Sequence, residues 1–182
     1  LRQEKGNSKN NAAQVFLSLG DGKSFKKINL PKSYDLQGDL TNIIVGDFNG
    51  DGNDDFIRQE KTACDDDKSS NAQLFLSTGT CDKNDILFQK VTLPKDYALR
   101  GDLTNIIVGD FNNDGKDDFI RQEKGIWDND KVNTAQVFLA TGSKGQFKKV
   151  TLPEKYALGG DSANILVGDF NGDGRDDFIR QE

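Results

Sequence analysis

Histidine and methionine are absent from this sequence, proline occurs only three times and cysteine twice. Without histidine the commonest general base and the commonest transition-metal ligand are both missing. No run approaches the roughly 18 apolar residues that a membrane helix requires, which excludes insertion by a helix. Lysine and arginine nowhere cluster into a stripe that would track phosphates, so nucleic acid is excluded as a partner. No Asn-x-Ser/Thr sequon occurs, and no apolar leader or initiator Met precedes the first residue. The chain therefore reads as a mature product or a fragment. With 34% hydrophobic and 30% charged residues over 182 positions, many thin half-buried strands suit it better than one thick core.

What is present is repetition. VGDFNGDGNDDFIRQE at 45–60 returns as VGDFNNDGKDDFIRQE at 108–123 and as VGDFNGDGRDDFIRQE at 167–182. An AQ-apolar run precedes each copy at 13–18, 72–77 and 135–140, followed by FKKINLP, FQKVTLP and FKKVTLP. Internal self-similarity of this kind marks an array of supersecondary units. The copies lie 63 residues apart from Ile57 to Ile120 and 59 from Ile120 to Ile179, whereas Pro31 to Asp47, Pro94 to Asp110 and Pro153 to Asp169 all span 16. Length changes only around the AQ run, so the constant part is scaffold and the variable parts are surface loops. The chain divides as one array, with repeats over 1–56, 57–119 and 120–182. Its first residues, Leu1-Arg2-Gln3-Glu4-Lys5, copy Ile57–Lys61, and it closes in that same element at Ile179–Glu182. This pattern fits either a window cut from a longer array or a permuted unit whose two ends meet.

Four strands per repeat are expected, at Gln14–Ser18, Phe25–Leu30, Asn42–Val45 and Asp55–Glu60 in the first copy. They are rich in Phe, Val and Ile and separated by Gly and Asn. Asn42–Val45, the most continuously apolar, is expected to be buried on both faces. No segment holds a 3.6-residue apolar period, so the class is all-β.

The loop between the third and fourth of these strands carries the chemistry. Oxygen-bearing side chains fall at its positions 1, 3, 5 and 9, with glycine at position 6. In the first repeat they are Asp47, Asn49, Asp51 and Asp55, with Asn53 at position 7. The second loop supplies Asp110, Asn112, Asp114 and Asp118, with Lys116 at position 7, and the third supplies Asp169, Asn171, Asp173 and Asp177, with Arg175. Alternate residues of a tight loop point inward, and calcium takes six to eight oxygens. Position 7 would offer its backbone carbonyl, which leaves its side chain free to vary. Magnesium prefers a smaller octahedral shell, and zinc lacks its nitrogen and sulfur ligands here. The expectation is about three Ca²⁺, one per repeat. An EF-hand is excluded: Arg58, Arg121 and Arg180 stand where it needs a bidentate Glu, and the flanks read as strands.

The GDFNGDG-x-DDF core resembles the FG-GAP or VCBS repeat, the blade of integrin α-subunit-type β-propellers. The resemblance spans nearly the whole chain. It implies four-stranded antiparallel blades, calcium held by the loop residues just named, and an extracellular or cell-surface setting. Three blades are fewer than the about four to eight of a closed propeller, so either further blades or self-association would complete the structure. Three Ca²⁺ would bring the net charge of −6 to zero, which favours association.

The remaining features are ambiguous. Cys64 and Cys81 lie in variable loops that the strand Ala72–Ser77 should hold apart, so a disulfide between them would need one loop to fold back. Arg100-Gly101-Asp102 spells RGD, but Gln37 and Gly159 replace the arginine in the other copies. Trp127 could anchor a partner or cover its neighbours. Carboxylates that recur with every repeat do not form the asymmetric pair that catalysis needs, so no enzyme is expected. The functional expectation is a secreted calcium-binding structural or adhesive protein, part of a larger propeller or of a self-assembling ring or filament. The alternative is a carbohydrate-binding lectin using the recurring Tyr34, Tyr97 and Tyr156, with glycans or another extracellular protein as partner.

Overall fold

The computed structural model describes residues 13–31, 34, 41–60, 72–79, 87–97, 99, 104–123, 135–142, 144–156, 158 and 165–180. Cys64, Cys81, Trp127 and the Arg100-Gly101-Asp102 tripeptide lie outside the described residues. The fold is all-β, with antiparallel strands in four sheets. The strands are β1 (Gln14–Ser18), β2 (Phe25–Asn29), β3 (Thr41–Gly46), β4 (Asp55–Glu60), β5 (Gln73–Ser77), β6 (Phe88–Thr92), β7 (Thr104–Gly109), β8 (Asp118–Glu123), β9 (Gln136–Ala140), β10 (Phe147–Thr151), β11 (Ile165–Gly168) and β12 (Asp177–Arg180). All four expected elements of the first repeat appear, with boundaries within a residue or two.

Two compact units divide the chain, Leu1–Thr41 and Asn42–Glu182. The first carries the two-stranded sheet β1-β2, paired from Gln14↔Asn29 to Ser18↔Phe25. The second carries the four-stranded meanders β3-β4-β5-β6 and β7-β8-β9-β10 and the two-stranded sheet β11-β12. Within each sheet, strands that are neighbours in sequence are neighbours in space. Among the described residues no sheet closes on itself into a barrel.

Within the second unit each full sheet has two unlike faces. Phe119, Phe138 and Phe147 project from one face of the second sheet, with Phe119 and Phe138 stacked at 4.4 Å and Phe147 edge-on to Phe119. They pack with Ile57, Leu74 and Leu76 of the first sheet. The opposite face of the second sheet, with Ile107, Ile120 and Val137, packs against Ile165, Val167 and Phe178 of the third. Period-2 alternation of Phe with aliphatic residues thus builds successive sheets into one stack. Linkers fasten it: Tyr97, in a short 3-10 turn over Lys95–Tyr97, donates its hydroxyl to the carbonyl of Phe147 at 2.9 Å in the next sheet.

The expected burial of Asn42–Val45 on both faces is not found, although its counterpart β7 buries Asn105 and Ile107. In β3, Ile43 and Val45 are exposed, and β11 exposes Leu166. Burial on both faces belongs instead to β4 and β8, whose polar letters hid it. Arg58 and Arg121 lie over the rings of Phe75 and Phe138 and donate to Gln73 and Gln136, at 2.8 and 2.7 Å. Gln59 and Gln122 accept the backbone amides of Leu99 and Leu158. A charged strand can be interior when its buried arginine and glutamine side chains are paired, as Arg58, Gln59, Arg121 and Gln122 are.

The second and third sheets meet closely at Gly109. A Cβ on Gly109 would lie 2.7 Å from Asp176 Oδ2 and 2.9 Å from Val167 Cγ1. Gly109→Ala is therefore expected to cost about 1–3 kcal/mol in denaturant unfolding through overpacking. A midpoint unchanged from wild type would show that the two sheets separate without penalty.

Candidate metal centre

Each candidate loop turns on two residues with positive φ. Position 6 is Gly52, Gly115 and Gly174, at φ 84°, 78° and 85°. Position 4 is Gly50 and Gly172 in two loops, at 73° and 77°, but Asn113 at 57° in the other. Asparagine is among the few residues with a side chain that enter this region readily.

The position 1 carboxylate organises the loop. Asp47 accepts from the amides of Gly50 at 2.8 Å and Asp51 at 3.1 Å on one oxygen, and of Gly52 at 2.7 Å on the other. Asp169 does the same with Gly172, Asp173 and Gly174, and Asp110 accepts from Asn112, Asp114 and Gly115. At position 3, the amides of Asn49, Asn112 and Asn171 each donate to the position 5 carboxylate, at 3.0, 3.3 and 3.3 Å. Asp51, Asp114 and Asp173 in turn accept the position 7 amide. At position 7, Lys116 and Arg175 fold back onto Asp114 at 3.4 Å and Asp173 at 3.0 Å, while Asn53 donates its amide to Asp51. These are partly exposed ion pairs that contribute little and yield readily to a stronger cation.

Position 9 is different because it is buried. Asp55 and Asp118 are 1% and 0% exposed. One oxygen of each accepts a backbone amide of the third strand, Ser77 or Ala140, at 2.7 Å. The second oxygen of Asp55 accepts from Phe48 at 3.2 Å, whereas that of Asp118 makes no fully formed hydrogen bond, the Phe111 amide stabilising its carboxylate only weakly. Burial raises both carboxyls to about 7, assisted by the negative charges of positions 1 and 5. Burial also raises Asp117 at position 8, whereas three other loop carboxyls shift the opposite way. The Gly174 amide lowers Asp169, and the Arg175 side chain lowers Asp173. Burial works against Asp51, but hydrogen bonds from Asn53 and Asn49 outweigh it and lower its pKa.

All fifteen candidate residues thus fall on three equivalent loops, one at the turn of each inner hairpin. Among the described residues no three acidic side chains converge into a ready-made cage. The donor set nonetheless fits a hard cation. It is all oxygen, carboxylates at positions 1, 5 and 9 retain unused lone pairs, and one of those lone-pair-bearing oxygens is buried without a fully formed hydrogen bond. Such an ion would supply positive charge to a loop that carries carboxylates at positions 1, 5 and 9.

Position 8 was missed from sequence. Asp117 Oδ2 accepts the amide of Asp47 at 2.7 Å in the preceding repeat and returns its own amide to the Asp47 carbonyl at 2.8 Å. Asp176 makes the same two bonds with Asp110, both at 2.8 Å. This reciprocal clamp ties the start of one loop to the end of the next. The signal was in the repeats themselves, since position 8 is Asp in all three copies while position 7 varies. Comparison of the chain with protein-family models, with curated proteins and with solved structures yields no match.

Proposed function

We propose that this chain is a secreted, calcium-stabilised structural or adhesive repeat module whose three loops each take one Ca²⁺, and which assembles with further repeats of its own kind. The observation that carries the calcium part is the buried Oδ2 of Asp118, which makes no fully formed hydrogen bond, since leaving a carboxylate oxygen buried and poorly matched is costly. Positions 1, 3, 5 and 9 would hold the ion through side chains and position 7 through its carbonyl. Calcium is abundant outside cells, where modest-affinity sites of this type fill. The assembly part is supported by the clamps and aromatic contacts that already join one repeat to the next. The carbohydrate reading draws less support: Tyr97 is committed to Phe147 and to the ring of Phe138, so it is packed between sheets.

Isothermal titration with Ca²⁺ tests this directly. Three ions per wild-type chain are expected, and two for Asp118→Asn, which keeps the shape and removes the charge. A wild-type chain that takes up no calcium overturns the reading.

A further inference from the structure

The candidate loops touch one another, and they touch at the residues that would hold the ions. Position 8 lies between two candidate ligands of its own loop, the carbonyl of position 7 and the carboxylate of position 9. Its side chain nevertheless serves the preceding loop. Asp117 Oδ2 accepts the Asp47 amide at 2.7 Å, and the Asp117 amide donates to the Asp47 carbonyl at 2.8 Å. The second loop thus holds the Asp47 backbone, while the Asp47 carboxylate gathers the amides of the first loop. Asp176 of the third loop holds Asp110 of the second in the same way, with both bonds at 2.8 Å.

The residue before each clamped aspartate is glycine, because the clamp leaves no room for a side chain. A Cβ on Gly46 would lie 2.8 Å from Asp117 Oδ2, and one on Gly109 would lie 2.7 Å from Asp176 Oδ2. On Gly168, over which no such aspartate stands among the described residues, it would touch only the Phe170 ring, at 3.7 Å. A second contact joins the same loops nearer their tips. A Cβ on Gly50, at position 4 of the first loop, would lie 3.0 Å from the Gly115 carbonyl oxygen and from Lys116 Cγ, at positions 6 and 7 of the second. Position 4 of the second loop meets position 6 of the third likewise, since a Cβ on Gly174 would lie 2.6 Å from Asn113 Nδ2.

These contacts tie the order of one loop to the order of the next. An ion in the second loop would fix positions 7 and 9, and with them Asp117 between the two. Asp117 then holds the Asp47 backbone in place before the first loop takes its own ion. Part of the ordering cost of the first loop is already offset, so its affinity rises. The third loop acts on the second through Asp176 by the same route. Coupling between binding sites is reciprocal, so filling the first loop favours the second by an equal factor. Repulsion between neighbouring cations opposes this, but it acts across partly exposed loops where salt screens it. The clamp is a direct contact and is not screened in this way.

We propose that the loops of this chain take up calcium cooperatively, with Asp117 and Asp176 as the positioning residues that carry the coupling from each loop to its neighbour. This rests on the calcium part of the proposed function, and neither aspartate is itself a candidate ligand.

Calcium titration of the wild-type chain, read by calorimetry and by competition with a chromophoric chelator, should fill three sites with a Hill coefficient of about 1.5 or more. Asp117→Ala combined with Asp176→Ala removes both carboxylate acceptors and no ligand. Three ions should still bind, with a Hill coefficient of about 1 and a mean affinity lowered about fivefold or more. Asp117→Asn combined with Asp176→Asn keeps an acceptor oxygen in the same place and should restore the cooperativity of wild type, which an effect of the aspartate charges on the ions would not do. Asp118→Asn, which disables the middle loop, should weaken the two remaining sites by about fivefold or more, because each loses its ordered neighbour. A wild-type chain that fills three independent sites, or binds later ions more weakly than the first, overturns this inference and leaves the calcium reading standing. Alanine variants as cooperative as wild type overturn the clamp as the carrier of the coupling. A chain that takes up no calcium overturns the calcium reading and this inference together.

Discussion

Saturating calcium is expected to raise the melting temperature of this protein by about 15 °C or more over its value in EDTA. At a hundredfold excess over Kd each site contributes about 2.7 kcal/mol, and for a chain of this length 1 kcal/mol moves the midpoint by about 2–4 °C. Three equivalent loops multiply the effect. The physical cause lies in the loops already described: positions 1, 5 and 9 place three carboxylates within nine residues, and the ninth is buried in the first two loops. Folding without a cation brings these charges together unmatched, and a bound ion turns that repulsion into attraction. Magnesium at the same concentration should give only a small part of the shift. Scanning calorimetry in calcium, magnesium and EDTA checks this, and coincident transitions in calcium and EDTA would rule calcium out as a structural element.

The second large effect is a pH dependence whose sign calcium reverses. In calcium-free buffer Asp55 and Asp118 sit at about 7 when folded, against 3.8 for an ordinary aspartate. Between those values the folded chain holds two protons that the unfolded chain has released. Stability is therefore greatest below about 4 with respect to these groups, and falls as pH rises toward 7. A shift of this size corresponds to something on the order of 4 kcal/mol per group. The lowered carboxyls, Asp51, Asp169 and Asp173, act below the usual aspartate range and so outside this window. Calcium must displace the protons from position 9, so the loaded protein should gain stability over the same interval. Urea unfolding at pH 5 and pH 8, with and without calcium, gives four midpoints. The calcium-free pair should fall with pH and the calcium pair should rise. Asp118→Asn should flatten part of the calcium-free slope, to which Asp117, also raised by burial, contributes as well, and a calcium-free slope of the opposite sign would show that these carboxyls are ionised in the fold.

Much of the architecture was legible because the chain states it three times. Strand boundaries, the all-β class and the positions of the loops follow from comparing the copies with one another. That comparison separates letters the scaffold fixes from letters the surface tolerates. The loop pattern was equally plain, since alternate oxygens around a glycine have few other uses.

Three things were decided only by the tertiary structure. Burial of β4 and β8 could not be read from Arg58, Gln59 or their counterparts, because a polar strand looks solvated until its partners on the adjoining strand and linker are known. Position 8 fell outside the alternating ligand set, and its clamp joins Asp117 to Asp47 across 70 residues, a separation at which local pattern carries no information. The difference between Gly109 and Gly168 is invisible in sequence as well, because both close the same VG dipeptide. Whether a glycine is required depends on what stands opposite it, and that is a property of the packed neighbour.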